Sequence, residues 1–173
     1  IRVSKYLSDE LAKKVAWMRW GTSAPEYVNC VRNAVFDELT DENDCFEVIA
    51  MPAKGEVVGS MHCIRNETDY SLWYYGDLFV TPEYRRMGIA RQMVETAISR
   101  LSEIGAAVLH CYVDPNNMPS RNLQKSIGFE EKPFKTFNCL CNDGQIMHEI
   151  KIPSCVCVIP ATVNEAYFVM IMF

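Results

Sequence analysis

The residues best suited to chemistry lie where a predicted strand ends and a predicted helix begins. Leu78, Phe79 and Val80 close an apolar run typical of a strand, and Gly88 opens a stretch in which apolar residues recur at helical spacing. Gly88 would then lie in the first helical turn, where backbone NH groups have no partner within the helix and the helix dipole favours an anion. A residue without a side chain also lets a phosphate approach closely. The stretch therefore predicts an anion-binding cradle.

The residues around Gly88 match neither of two common phosphate loops. A P-loop needs Lys followed by Ser or Thr after its second glycine, and a dinucleotide fingerprint needs three glycines between strand and helix. Neither pattern is present. Local positive charge is nevertheless available from Arg85, Arg86 and Arg91. The cradle must therefore belong to another class of anion site.

The six residues from Arg85 to Ala90 resemble the signature of the GNAT superfamily of acyl-CoA N-acyltransferases. That signature reads Arg or Gln, any two residues, Gly, any residue, then Gly or Ala. A second family motif follows about thirty residues later. It consists here of Asn117, Ser120, Leu123, Gln124, Gly128 and Phe129. With both motifs, the resemblance covers roughly residues 44–152.

The resemblance implies an α/β fold: a mixed, mostly antiparallel twisted sheet of six to seven strands with about four helices, and a splayed parallel pair near the cofactor. The periodicity along the chain predicts matching elements. Strands are expected at Ile1 to Val3, Phe46 to Met51, Val57 to Ile64, Leu72 to Val80, Ala106 to Val113, Lys135 to Leu140 and Ile146 to Ile152, the last two as a closing hairpin. Helices are expected after Ser8, over Glu26 to about Leu39, after Gly88, and between Asn117 and Gly128.

The length of the chain predicts one domain followed by a short tail. We expect residues 1–152 to form the domain and residues 153–173 to form an apolar C-terminal extension. The segment from Tyr167 to Phe173 is almost wholly apolar, so it must be covered. It would pack either on the same domain or at a subunit interface, which would make a homodimer.

The resemblance also implies a cofactor and its binding residues. The cofactor is acetyl-CoA, acting as the acyl donor, and no metal is implied. The implied cofactor-binding residues are Leu78, Phe79, Val80, Arg85, Arg86, Met87, Gly88, Ile89, Ala90, Arg91, Asn117 and Ser120.

Acetyl transfer to an amine needs a hydrogen-bond donor at the carbonyl oxygen and an acceptor for the amine proton. By resemblance, the backbone NH of Leu78 on a kinked strand is the donor, and Gly76 inside that strand is consistent with a bulge. Asp77 on the same strand is the candidate base. An aspartate beside a bulge can equally accept backbone hydrogen bonds, so a structural role stays open.

Gln124 is the third candidate catalytic residue. It stands where the family often has a tyrosine that protonates the departing thiolate. A thiolate with a pKa near that of Cys, about 8.5, can leave without full protonation. Gln124 could donate a hydrogen bond to the sulfur or could be a plain surface residue, and Tyr112 or Tyr75 could act nearby instead.

The acceptor pocket can be placed only by resemblance, at Trp20 to Tyr27 and Phe137 to Gln145. The acidic residues before and at the start of the second strand are more typical of a solvated face than of an amine site. These residues are Asp37, Glu38, Asp41, Glu42, Asp44 and Glu47. The histidines, His62, His110 and His148, read as satisfied core residues.

The motifs together predict an enzyme that moves an acetyl group from acetyl-CoA to a primary amine of a small molecule or peptide, by direct attack in a ternary complex. A covalent route through Cys111 is less favoured, because no neighbour is evident that would lower its pKa. Two alternatives stay open. One is a non-catalytic acyl-CoA binding or sensing module, favoured by Gln124. The other is an interaction domain that has kept only the fold, favoured by the apolar tail.

Composition limits the remaining classes. The net charge of −5 argues against general affinity for nucleic acid or anionic membranes, and no run approaches the roughly 18 apolar residues of a membrane helix. We expect a cytoplasmic protein. The eight cysteines are then most simply reduced core residues. The pairs Cys139/Cys141 and Cys155/Cys157 have one-residue spacing, which structural zinc sites do not favour.

Overall fold

A computed structural model of the chain describes residues 2–3, 8–36, 45–52, 55–135, 137, 144–154 and 168–172. Eight strands lie among them: β1 (Arg2–Val3), β2 (Cys45–Met51), β3 (Gly59–Arg65), β4 (Leu72–Val80), β5 (Val108–Val113), β6 (Glu130–Lys132), β7 (Ile146–Lys151) and β8 (Phe168–Met172). The same residues form four α-helices: α1 (Asp9–Trp20), α2 (Pro25–Phe36), α3 (Ile89–Glu103) and α4 (Met118–Ile127).

Local signals set the helix ends. The Ser8 side chain caps α1 by accepting a hydrogen bond from a backbone NH one turn later, and Gly21 ends that helix with a φ of +69°. Asn117 caps α4 in the same way, and Gly128 ends it with a φ of +109°. Within the described residues, no helix is long and apolar enough to cross a membrane.

The strands form one sheet in the order β1-β8-β2-β3-β4-β5-β7-β6. The pairs β2/β8 and β4/β5 are parallel, and the other neighbours are antiparallel. The predicted α/β fold, with its mixed, mostly antiparallel sheet, four helices and parallel pair, is confirmed. The sheet has eight described strands rather than six to seven, because β8 adds beside β2 and β6 adds beyond β7.

The closing hairpin differs from the prediction. The described partner of β7 on its outer edge is β6, with Glu130 opposite Glu149 and Lys132 opposite Met147, rather than the segment Lys135 to Leu140. β6 is short and charged, so the hydrophobic pattern does not reveal it. Residues 136 and 138–140 of the predicted strand lie outside the described residues.

Several other predictions also fall outside the described residues. They concern the acidic residues Asp37, Glu38, Asp41, Glu42 and Asp44, the cysteine pairs Cys139/Cys141 and Cys155/Cys157, and residues 155–167 and 173 of the C-terminal extension. The part of the extension that the structure describes as a strand, β8, pairs with β2 and β1 of the same chain.

Apolar side chains pack on both faces of the sheet. On one face, α3 contributes Met93, Val94, Ala97 and Leu101, all fully buried. On the other face, α1 and α2 pack with Ile49 of β2 and Val57. Because side chains alternate between the faces of a strand, polar residues of β2, β3 and β4 that face α1 lie together beneath that helix.

Candidate active site

Strands β4 and β5 separate part of the way along the sheet. Their parallel pairing runs from Leu72 opposite Val108 to Tyr74 opposite His110 and goes no further, although β4 continues to Val80. The second half of β4 therefore has a neighbour only on its β3 side among the described strands. This opening is the splayed parallel pair that the family resemblance implies.

A β-bulge lies in the separated half of β4. Ser60 pairs with Phe79 and His62 pairs with Gly76, so Asp77 and Leu78 together oppose a single residue of β3. The bulge is present where Gly76 indicated, but the left-handed backbone is at Asp77, with a φ of +52°. Gly76 serves a different purpose: a Cβ there would lie 2.6 Å from the Tyr74 hydroxyl.

The turn after β4 forms an open cradle. A short 3-10 turn at Pro82–Tyr84 leads to Arg86 and Gly88, which have φ values of +65° and +83°, and α3 then begins. The first described hydrogen bond of that helix runs from Gln92 NH to Gly88 O, so the preceding NH groups of its first turn have no helical acceptor. Nothing lies within 4 Å of a Cβ built on Gly88, and a phosphate can approach the backbone.

The three arginines of the cradle differ in their surroundings. The Arg85 Nε donates to the Val80 carbonyl at 3.0 Å, and the Arg85 and Arg86 side chains are exposed. The Arg91 guanidinium instead donates to Ser126 Oγ at 2.6 Å and to Glu95 at 3.2 Å, which ties α3 to α4. Charge beside Gly88 thus comes from Arg85 and Arg86, together with the helix dipole. Met87 is exposed, whereas Ile89 is buried and anchors the turn.

Gln124 is fully buried rather than at the surface. Its Oε1 accepts a 2.6 Å hydrogen bond from the Tyr75 hydroxyl, and its Nε2 has no partner among the described residues. Burial raises the pKa of Tyr75 well above its usual range and that of Cys111 to about 12. The site thus offers one unsatisfied amide donor beside two groups that stay protonated. Asn117 and Ser120 lie at the start of the same helix, where the Asn117 side chain caps the Ser120 NH at 3.2 Å.

Asp77 is bound by a residue that the sequence did not single out. Arg19, in the last turn of α1, donates from Nη1 to Asp77 Oδ2 at 3.2 Å and from Nη2 to the Asp77 carbonyl at 3.0 Å. The same guanidinium donates from Nε and Nη2 to Ser60 Oγ at 2.9 and 2.8 Å. No local pattern indicates these contacts, because their partners are 41 and 58 residues away in the chain.

Glu47 and His62 lie in one row with the bulge. Glu47 pairs with His62 across β2 and β3, and His62 pairs with Gly76 across β3 and β4. Burial raises the pKa of Glu47 to about 8, with Asp77 adding to the rise and Arg19 at 3.8 Å opposing it. Burial lowers the pKa of His62, whose Nδ1 lies 3.8 Å from Asp77 Oδ2. Near neutral pH, Glu47 is therefore largely protonated and His62 is neutral.

The interpretation of Glu47 as part of a solvated acidic face is wrong, since the residue is 3% exposed. The sequence does contain a sign of this burial, because Glu47 is the one charged residue of the apolar run Cys45–Met51. His62 is largely buried, as expected of a core residue. Its position beside the bulge also brings it close to the Asp77 carboxylate, which the sequence did not indicate.

Aromatic side chains extend from the bulge across the sheet. The Tyr74 ring lies 5.6 Å from Tyr112 and 5.4 Å from Phe137, and the Tyr112 ring lies 5.6 Å from Phe134. Burial raises the pKa of Tyr74 above its usual value, so its hydroxyl stays a donor. Of the two predicted acceptor segments, Trp20 to Tyr27 is exposed at both of its aromatic ends, and 138–143 lies outside the described residues.

In the described part of the chain, no group of three or more metal-ligating side chains could hold a metal ion. The site brings together a half-paired strand segment, a bulge with a carboxylate, a buried amide donor and an anion cradle.

Comparison with known proteins identifies a family model that matches most of the chain. A family model described as the acetyltransferase (GNAT) family matches residues 13–129. No curated protein sequence matches the chain significantly.

Solved structures share the fold. A protein described as a GNAT-family acetyltransferase from Desulfovibrio desulfuricans has a TM-score of 0.66 and 15% identity, and the match covers 88% of this chain and 98% of that one. A protein described as an acyl-CoA N-acyltransferase from Klebsiella pneumoniae has a TM-score of 0.61 and 11% identity, covering 87% and 94%. Nourseothricin acetyltransferase has a TM-score of 0.52 and 20% identity, covering 66% and 69%.

Proposed function

The chain belongs to the acetyltransferase (GNAT) family, and from that membership we propose that it transfers an acetyl group from acetyl-CoA to a primary amine of a small molecule or peptide. One observation carries the proposal. Strand β4 leaves β5, bulges at Asp77 and Leu78, and runs directly into the cradle at Gly88. A reacting carbonyl and a distant phosphate group could thus be bound by one continuous segment.

The residues present fit acetyl-CoA as the donor. We propose that backbone groups of Phe79 and Val80 contact the pantetheine arm and that the NH groups before Gln92 bind the pyrophosphate. Two observations support this assignment: the open space above Gly88, and the unsatisfied buried Nε2 of Gln124 near the separated strands. A buried amide without a partner costs free energy unless a ligand supplies an acceptor.

The chemistry follows from the groups at the bulge. Acetyl-CoA supplies a thioester whose acyl carbon the amine attacks directly, so that a C–N bond forms, the C–S bond breaks and CoA leaves as a thiolate. The Leu78 NH donates to the carbonyl oxygen as it gains negative charge. Asp77 accepts the proton that the amine loses; its side chain is 59% exposed, and the described contacts of its carboxylate involve only Oδ2.

Two neighbours define the rest of the reaction. Gln124 Nε2 donates a hydrogen bond to the departing sulfur, in place of a tyrosine. Cys111 does not act as a nucleophile, because burial raises its pKa to about 12 and only the thiolate would attack. The protonated thiol of Cys111 favours a ternary complex over a covalent route.

The aromatic residues Tyr74, Tyr112 and Phe134 form the acceptor side in this proposal. Aromatic faces bind both apolar bodies and ammonium groups, so they fit an amine with a hydrophobic or cationic body. The panel of test amines should therefore contain both kinds.

The proposal assigns residues 1–152 to the catalytic domain and 153–173 to an extension. The pairing of β8 with β2 supports packing of the extension on its own domain, which we favour over a homodimer interface. Sedimentation equilibrium separates the two, since only an interface gives a mass that rises with concentration. A cytoplasmic location stays a prediction.

A non-catalytic acyl-CoA binding or sensing module is the second candidate. It is favoured by Gln124 in the tyrosine position and by the ion pair of Asp77 with Arg19 at 3.2 Å. Such a module would bind acetyl-CoA but would form no acetylated product.

Mass spectrometry tests the proposal after incubation with acetyl-CoA and a panel of amino acids, aromatic amines, polyamines, aminoglycosides and peptides. Gly88→Glu should abolish the product by filling the cradle with a like charge. Gly105→Glu is the matched control, because Gly105 has a φ of +78° and equally open surroundings at the other end of α3. Binding without any product would favour the sensing module, and absence of binding would contradict the cofactor assignment.

A further inference from the structure

We propose that Arg19 is a positioning residue for acetyl transfer, which clamps the Asp77–Leu78 bulge so that the Asp77 carboxylate and the Leu78 NH face the same substrate. The inference rests on the proposed function and goes beyond it, because it assigns the geometry of the reaction centre to a side chain on a helix.

The contacts of Arg19 hold Asp77 at two points. Nη2 donates to the Asp77 carbonyl at 3.0 Å, which fixes the backbone, and Nη1 donates to Oδ2 at 3.2 Å, which fixes the side chain. Asp77 has a φ of +52°, a conformation that a residue with a Cβ rarely adopts unless its surroundings hold it there. Arg19 supplies that restraint directly beside Leu78.

The guanidinium is itself anchored. Ser60, fully buried on β3, accepts hydrogen bonds from Nε at 2.9 Å and Nη2 at 2.8 Å, and Glu47 Oε1 lies 3.8 Å away on β2. Only 12% of the Arg19 side chain is exposed. Its fork therefore spans β3 and β4 at the point where their register shifts.

This geometry needs arginine rather than any cation. A guanidinium offers five donors in a rigid plane, whereas a lysine ammonium is a point charge on a flexible stem. Arg19 lies in the last turn of α1, so its contacts join the end of that helix to the bulge.

The test compares Arg19→Lys and Arg19→Met with the same substitutions at Arg100, a partly buried arginine of α3 that pairs with Glu103 at 3.0 Å. We expect both Arg19 variants to lose about 10²-fold in kcat, the scale of a misplaced reacting group. Their affinity for acetyl-CoA, measured by calorimetry, should match the wild type because Arg19 does not contact the cradle. The Arg100 variants should keep both values.

The pH dependence of kcat separates positioning from folding. The charged and titratable groups facing Arg19 are Glu47 on β2, His62 on β3 and Asp77 on β4. Both Glu47 and His62 are coupled electrostatically to Asp77, so kcat should change as each of them titrates. Arg19 lowers the pKa of both groups, so Arg19→Met should move these midpoints of the pH–rate profile to higher pH. Arg19→Lys keeps the charge and should keep the midpoints. A purely structural loss would lower the active fraction without moving them.

Ser60→Ala provides a second variant in case the Arg19 variants fold poorly. It removes the anchor, keeps Arg19, and should lower kcat without changing acetyl-CoA affinity. Wild-type kcat in both Ser60→Ala and Arg19→Lys would overturn the inference while leaving the proposed function intact. Failure of the wild type to acetylate any amine of the panel would instead contradict the proposed function itself.

Discussion

The Tyr75 hydroxyl donates a 2.6 Å hydrogen bond to Gln124 Oε1, and both side chains are buried. This bond joins β4 to α4 one residue after Tyr74, the last residue of β4 that pairs with β5. It satisfies the amide oxygen and leaves Nε2 as the unpaired donor within the described residues. The pair thus holds a donor in a fixed orientation before any ligand binds.

Tyr75→Phe should lower the free energy of unfolding by about 1–3 kcal/mol, since it leaves a buried amide oxygen without a donor. Urea unfolding measures the change. Tyr84→Phe is the control: that hydroxyl donates to Glu56 at 2.8 Å at the surface, where water can replace it, so its loss should cost clearly less free energy than the loss of the buried bond. Equal effects of the two variants would contradict the importance of the buried bond.

Gln124→Leu should lower kcat by about 10- to 100-fold, the value of one hydrogen bond to a developing charge. In the Tyr75→Phe background, the same change should restore stability, because two matched apolar groups then replace an unsatisfied polar pair. Steady-state kinetics of Gln124→Leu measures the loss in kcat, and urea unfolding of the double variant measures the restored stability. Unchanged kcat in Gln124→Leu would show that Gln124 only packs and does not assist the reaction.

The sequence was sufficient for the parts of the site that are local. Gly88 opens a helix because the strand, the turn and the helical pattern around it are contiguous, and Gly76 marks the bulge because an interior glycine weakens a strand. Even there the structure assigns the positive φ to Asp77, since the glycine is required instead by the Tyr74 hydroxyl.

The parts that the sequence missed depend on distant contacts. Arg19 reaches Asp77 across 58 residues, and nothing in the last turn of α1 distinguishes it from a solvent-facing arginine. In the sequence, Glu47 looks like one more charge of an acidic segment, but its burial on β2 raises its pKa. β6 was missed because three charged residues carry no strand pattern and pair only through β7.

Glu47→Gln should reduce the pH dependence of stability. Burial raises the pKa of Glu47 from 4.5 to about 8, so between these values the folded protein holds a proton that the unfolded chain has lost. Stability therefore falls as pH rises through this window, and the loss is complete above about pH 8. Urea unfolding from pH 5 to 9 should give a flatter profile for Glu47→Gln, whereas the exposed control Glu95→Gln should follow the wild type. Identical slopes for Glu47→Gln and the wild type would show that the buried carboxyl is not protonated.

Asp77→Asn should lower kcat by about 10²- to 10⁴-fold, the usual contribution of a general base, with unchanged affinity for acetyl-CoA. His62→Gln should have a smaller effect, because the proposal gives the proton to Asp77 and the His62 Nδ1 lies 3.8 Å from Asp77 Oδ2, beyond hydrogen-bond distance. Steady-state kinetics at saturating amine provides the comparison. A larger loss in His62→Gln than in Asp77→Asn would assign the proton to the histidine instead.

The affinity of Gly88→Glu and Gly105→Glu for acetyl-CoA, measured by isothermal titration calorimetry, tests most directly whether the glycine cradle binds the cofactor. Both substitutions place the same side chain on a left-handed glycine in open surroundings at opposite ends of α3, so backbone strain is matched. The cradle predicts at least a tenfold loss, about 1.4 kcal/mol, for Gly88→Glu and wild-type affinity for Gly105→Glu. Equal affinities in the two variants would contradict it.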